Sequence, residues 1–170
     1  MDYLRTRNLK DNTVGSRPKT DLAYIAGFLD GDGSLMFQIK KRADGNKTRT
    51  RFMLTICFYQ DSRHEKTLFW IQKILGIGYI SRRNDGITEL RINGYRQVES
   101  ILNRLVPFIR FKKTQAEILL ASSKMLQKSK LEESDLRMMV SNILKIQKAN
   151  YSTRKKKKRG ELLKNLGLTP

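Results

Sequence analysis

Between Leu35 and Gln60 the chain alternates apolar and polar positions with a period of two. In LMFQIKKR (35–42), Phe37 and Ile39 share one face while Met36, Gln38, Lys40 and Arg42 share the other, the pattern of a half-buried strand. RTRFMLTICFYQ (49–60) repeats it, with Phe52, Leu54, Ile56 and Phe58 inward and Arg49, Arg51, Met53, Thr55 and Cys57 outward. The turn-forming ADGNKT between them predicts a long hairpin. GYISRR (78–83) and ITELRI (87–92) flank Asn84-Asp85-Gly86 and predict a second one, with Ile80, Leu90 and Ile92 inward and Ser81, Arg83, Glu89 and Arg91 outward.

Elsewhere the period lengthens to that of a helix. A first helix is predicted from Asp21 to Asp30, with Thr20 or Asp21 as its cap. Ser62-Arg63-His64-Glu65 has the spacing of a capping box and should open a second helix running through Leu68, Phe69, Ile71 and Ile74 to Gly76. A third spans Tyr95 to Val106 and stops at Pro107; others follow at about 114–128, 132–149 and 160–166. The order α-β-β-α-β-β-α plus C-terminal helices predicts an α+β fold: a four-stranded antiparallel sheet, helices on its apolar face and a polar face left open. A polar arm (1–19), a core (20–150) and a basic C-terminal extension (151–170) divide the chain.

Charge changes the meaning of the open face. Lysine and arginine number 35 against 16 acids, a net charge of +19, and the RKKKKR run at 154–159 accounts for only six of that surplus. Basicity distributed over a whole domain favours a polyanionic partner, nucleic acid before membrane, because phosphate neutralisation releases counterions. A strand ribbon carrying arginine, lysine, glutamine, threonine and glutamate suits the major groove, although a merely solvated sheet face has the same composition. The single cysteine, Cys57, cannot form an internal disulfide; a reducing compartment is the simpler reading and a bridge between chains the alternative. No apolar run of about 18 residues offers a membrane span, and the N-terminus lacks the apolar centre of a secretory signal.

One stretch fits none of this. LAYIAGFLDGDGS (22–34) places Ala23, Gly27 and Gly31 four residues apart, a small-residue line that admits a second helix; burial in the chain's own core is the plainer alternative. It then sets Asp30 and Asp32 at the helix C-terminus, where unpaired carbonyls already carry partial negative charge. A divalent cation would reverse that penalty, and carboxylate and carbonyl oxygens suit Mg²⁺. Asp-Gly-Asp-Gly alone reads equally well as a polar turn.

AYIAGFLDGDG resembles the signature of the LAGLIDADG homing endonucleases, and the predicted element order matches that family's core over Thr20 to Ala149. The resemblance implies a single-motif, intron-encoded enzyme acting as a homodimer, its signature helices meeting at a two-fold axis through Ala23, Gly27 and Gly31. It implies a Mg²⁺-dependent double-strand break, with Mn²⁺ able to substitute, leaving short 3′ overhangs in a long pseudo-palindromic target. Asp32 and the Gly31 carbonyl correspond to the metal ligands, and Asp30 to a supporting residue. Gln60, His64 and Lys112 correspond to groups that organise water and stabilise charge around the phosphate; His64 stands where familiar algal members have arginine. A concave sheet would read double-stranded DNA through Gln38, Lys40, Arg42, Arg49, Arg51, Thr55, Arg83, Glu89 and Arg91, arginines favouring guanine and Glu89 accepting from cytosine N4. Ser152, Thr153 and Arg154 would meet phosphates. No small-molecule cofactor or membrane partner is implied, and the expected setting is intracellular and organellar, mitochondrion or chloroplast, with the protein encoded there. Two other classes share these features in part: a maturase or regulator that binds nucleic acid without cutting, and a basic ribosome-associated protein.

Overall fold

Two hairpins meet through their inner strands to make one antiparallel sheet of order β1-β2-β4-β3 in a computed structural model that describes residues 17–44, 47–150 and 156–169. The strands are β1 (Gly33–Asp44), β2 (Lys47–Asp61), β3 (Tyr79–Arg82) and β4 (Ile87–Asn93). The helices are α1 (Arg17–Asp32), α2 (Lys66–Leu75), α3 (Tyr95–Leu105), α4 (Lys113–Met125), α5 (Glu133–Ala149) and α6 (Arg159–Asn165). The α+β order expected from the sequence is the order observed.

Register follows the hydrophobic pattern. Leu35 pairs with Ile56, Phe37 with Leu54, and Ile56 in turn with Ile92, so the apolar positions of three strands share one face. Leu35, Phe37, Ile39, Leu54, Ile56, Phe58, Leu90 and Ile92 are each at most 6% exposed. Ile25, Ala26 and Leu29 of α1, Leu68 and Ile71 of α2, Val98 and Leu102 of α3 and Leu119 of α4 complete the core, together with buried residues of α5 and α6. Leu162 and Leu163 of α6 are fully buried in it.

Three local expectations change. α1 begins at Arg17, four residues before Asp21, with Pro18 in the first turn where a missing N–H costs nothing. It also runs on to Asp32, and β1 follows without a linker. That junction needs Gly33, because a Cβ there would lie 2.6 Å from Leu29 Cδ1 and 2.8 Å from the Leu29 carbonyl oxygen. The capping box at Ser62–Glu65 does not form. Asp61 caps a short 3-10 turn, Ser62–His64, by accepting from the Arg63 N–H, and α2 has no side-chain cap. A reciprocal box instead opens α5, between Glu132 and Asp135.

Ser62 and Glu65 are occupied by the sheet. Arg82 of β3 donates to both Glu65 oxygens, Nε at 2.9 Å and Nη2 at 2.7 Å. Thr88 of β4 donates to Glu65 Oε2 at 2.8 Å and lies 2.9 Å from Ser62 Oγ. The second hairpin is thereby pinned to the start of α2, and these bonds, Arg82 first, hold the Glu65 carboxyl below its usual range. A carboxylate depressed by folding stabilises above its unfolded pKa, about 4.3, and that contribution is lost as pH falls through the lower folded value. Glu65→Gln should therefore lower the melting temperature at pH 7 and flatten its decline below pH 4.3, as measured by thermal denaturation across pH.

Candidate active site and nucleic-acid interface

α1 ends at the mouth of an open cleft of about 1000 Å³. Gly31, Asp32, Gln60 and Lys112 all line it, with Tyr59, Gln38 and Asn150 on its walls. Three of the four expected catalytic residues, brought from three separate elements, thus meet in one place. The fourth, His64, is exposed on the 3-10 turn and is not part of that lining.

The two aspartates have different fates. Asp30 turns toward the segment before α4 and accepts three backbone N–H bonds: Arg110 and Phe111 on Oδ2 at 2.7 and 3.1 Å, Lys112 on Oδ1 at 2.8 Å. It therefore caps the approach to α4, where orphan N–H groups and the positive end of the helix dipole welcome a carboxylate. Lys112 reciprocates. Its ammonium donates to the Leu29 carbonyl at 3.1 Å and to the Asp30 carbonyl, neutralising the negative end of α1. Burial lowers the Lys112 pKa from its ordinary value, opposed by the nearby charges of Asp30 and Asp32. Asp32 is exposed and makes no hydrogen bond or ion pair among the described residues.

Gln60 lies at the end of β2, its side-chain oxygen accepting the Asp61 N–H at 2.8 Å. Asp61 forms a fork with Arg63, Nε to Oδ1 and Nη2 to Oδ2 both at 2.9 Å, and that hydrogen bonding depresses its carboxyl well below the usual range. Tyr59 shares a 2.9 Å hydrogen bond with Ser34, and burial raises its phenol to about 12. Asn150 donates to the Leu35 carbonyl at 3.1 Å, fixing the end of α5 against β1 beside the cleft.

The sheet's outer face runs away from this cleft. Gln38, Lys40 and Arg51 are exposed there, Arg83 is exposed at the tip of the second hairpin, and Arg91 is half-buried. Arg42 and Arg49 pair in register at the far end of the first hairpin; their side chains, and Ser152, Thr153 and Arg154, lie outside the described residues. Two expected readers lie below the surface. Thr55 is 1% exposed and donates to Asn93 Oδ1 at 2.7 Å. Glu89 is 6% exposed, with both oxygens engaged by arginines. Both polar ends are engaged within the sheet face itself, because alternation identifies a face but not depth. Cys57, on the same face, is fully buried, and its thiol is pushed up to about 11 by that burial.

Ala23, Gly27 and Gly31 are exposed along α1, with Tyr24 beside them. A Cβ built on Gly27 or Gly31 would meet nothing within 4 Å, so the chain's own packing does not require glycine at either place.

The domain is thus an α+β fold whose sheet face, with exposed Lys40 and Arg51, adjoins a cleft lined by the exposed carboxylate of Asp32. The chain belongs to the LAGLIDADG endonuclease family, whose model matches residues 25–127. It is 37% identical over 109 residues to the DNA endonuclease I-CvuI of Chlorella vulgaris, covering 64% of this chain and 66% of that one. Over 102 residues it is 30% identical to the DNA endonuclease I-CreI of Chlamydomonas reinhardtii, covering 60% and 61%. The crystal structure of I-CvuI with its target in 2 mM Ca matches 91% of this chain and 99% of that chain, with TM-score 0.78 and 28% identity. A second I-CvuI complex, with the I-CreI target in 2 mM Mg and its DNA uncleaved, matches with TM-score 0.70 and 29% identity over the same shares.

The Asp30 contacts were missed in the sequence because their donors lie 80 to 82 residues away. The only signal was the electrostatic cost of a carboxylate at a helix C-terminus, which demands donors from somewhere. Asp30→Asn should destabilise the protein by about 1.5–3 kcal/mol, the range for hydrogen bonds to a charged group. Asp32→Asn should leave stability within about 0.5 kcal/mol, with both variants compared by urea unfolding.

Proposed function

We propose that the protein is a site-specific homing endonuclease that, as a homodimer, hydrolyses both strands of a long pseudo-palindromic DNA target and leaves short 3′ overhangs. The observation that carries this reading is Asp32: an exposed carboxylate with no hydrogen bond or ion pair among the described residues, at the end of the family's signature helix and lining the open cleft that Gln38 of the sheet face also lines.

The donor set fits Mg²⁺. Asp32 and the Gly31 carbonyl offer hard oxygens, and Mg²⁺ binds through one or two carboxylates while keeping waters and substrate phosphate oxygens. Among the described residues there is no group of three or more acidic, histidine or cysteine side chains that would form an all-protein cage. When bound, the ion would supply Lewis-acid stabilisation of phosphate charge and lower the pKa of water; Mn²⁺ would substitute. Lys112, beside Asp32, neutralises charge developing on the phosphate. Gln60 orients water through its amide; His64, exposed on the 3-10 turn, is not among the residues lining the cleft. Gln38, Lys40, Arg51, Arg83 and Arg91, with Arg42 and Arg49, contact the target. Residues 152–154 contact phosphates.

The open face of α1 meets the same face of a second copy, and the glycines let the two helices approach closely. Each copy then brings one Asp32 to the shared target. Organellar coding and action belong to the same reading; among the described residues no helix is long and apolar enough to cross a membrane.

Purified protein should cut the uninterrupted allele of its host gene in Mg²⁺. Asp32→Asn should lower that rate by more than the roughly 100-fold typical of losing an outer partner of a metal ligand. Binding by the native protein without any Mg²⁺-dependent cutting would indicate a maturase or regulator instead. Gly27→Leu should shift sedimentation from dimer to monomer without lowering monomer stability, since a Cβ at Gly27 meets nothing within 4 Å among the described residues and leucine is a better helix former than glycine.

A further inference from the structure

Glu89 occupies an unfavourable place for a carboxylate. It lies on β4 between Tyr59 of β2 and Ser81 of β3, 6% exposed, on the same face as Lys40, Arg51 and Arg91. Burial disfavours the charge, and so would the phosphates of an approaching duplex. The charge is kept because both oxygens are matched: Oε1 accepts from Arg83 Nη1 at 3.2 Å and Oε2 from Arg91 Nη2 at 2.5 Å. Asp85 holds a second nitrogen of Arg83 at 2.6 Å. Cys57 Sγ packs 3.9 Å from Oε2. The Arg83 and Arg91 side chains remain 48% and 30% exposed, so Arg83 is fixed at two nitrogens, by Glu89 and Asp85, and Arg91 at one by Glu89, while part of each side chain stays open to the face.

An unrestrained arginine on such a surface samples many rotamers and finds phosphates as readily as bases. Anchored to a buried carboxylate, it loses less freedom on binding and is partly neutralised, which weakens its pull toward phosphate in favour of a directed fork. We propose that Glu89 is a positioning residue for DNA readout: it touches no base, but holds Arg83 and Arg91 as a pair and so sets base preference at two positions of the target. Glutamine at this site keeps the shape but presents an NH₂ to one of the two arginines, and aspartate keeps the charge but is one methylene too short to reach both.

This inference rests on the DNA-cutting reading above, and one experiment separates the two. The native protein, Glu89→Gln, Arg83→Gln and Arg91→Gln are each allowed to select from a pool of random DNA duplexes, and unfolding midpoints are measured alongside. Native protein should select a defined sequence, Arg83→Gln should lose preference at one position and Arg91→Gln at another. Glu89→Gln should lose preference at both, by about tenfold against the wrong base, the scale of one good bidentate contact, with other positions unchanged. Should Glu89→Gln not fold, Glu89→Asp is the second variant and should relax one of those positions. Unchanged preference at both positions in the folded Glu89 variant, or a uniform loss of affinity with no change in preference, overturns the positioning role alone. A native protein that selects no sequence overturns the endonuclease reading with it.

Discussion

The C-terminus of α1 collects more negative charge than a helix end tolerates: unpaired carbonyls, Asp30 and Asp32 within three residues. The structure resolves this by setting that end against the start of α4. Asp30 takes the three N–H groups of residues 110–112, and the Lys112 ammonium takes the carbonyls of Leu29 and Asp30. The negative end of one helix and the positive end of another are thus joined by two residues, each serving the other's helix. Asp32 makes no hydrogen bond among the described residues, and it lines the cleft.

Much of the remaining site follows from that junction. Because Gly33 lets β1 start with no intervening loop, the acidic helix end is fixed to the edge of the sheet, beside Ser34 and Tyr59. Because Lys112 belongs to the clamp, a cationic group is delivered next to Asp32 without a mobile loop to carry it. The inner face of α1, through Ile25, Ala26 and Leu29, belongs to the core, which leaves its small-residue face outward and uncommitted. One helix therefore packs the core on one side, leaves a small-residue face exposed on the other and carries an exposed carboxylate at its tip.

Much of the fold was legible because it rests on periodicity. Phe37 with Ile39, Leu54 with Ile56 and Phe58, and the Asn84-Asp85-Gly86 turn placed four strands and their faces, and Gly76 ended α2 in the left-handed conformation its position requires. What stayed hidden depends on distant partners. Ser62 and Glu65 have the spacing of a capping box, yet Arg82 and Thr88, two strands on, outbid the backbone for their side chains. Thr55 and Glu89 alternate correctly outward, but Asn93, Arg83 and Arg91 occupy and cover them. Of the site, Asp32, Gln60 and Lys112 were identified by resemblance to a family, and the structure brings these three together; the role of Asp30 was visible only as an electrostatic debt without a named donor.

The clamp between α1 and α4 is the central claim, and amide hydrogen exchange on residues 110–112 tests it most directly. Arg110 and Phe111 are exposed residues ahead of a helix, a place where unbonded amides exchange at nearly the rate of a free chain. The amides of Arg110, Phe111 and Lys112 should be protected in the native protein without DNA or metal, and should lose that protection together in Asp30→Asn while the β2 amides keep theirs. Free-chain exchange at all three in the native protein would contradict the account.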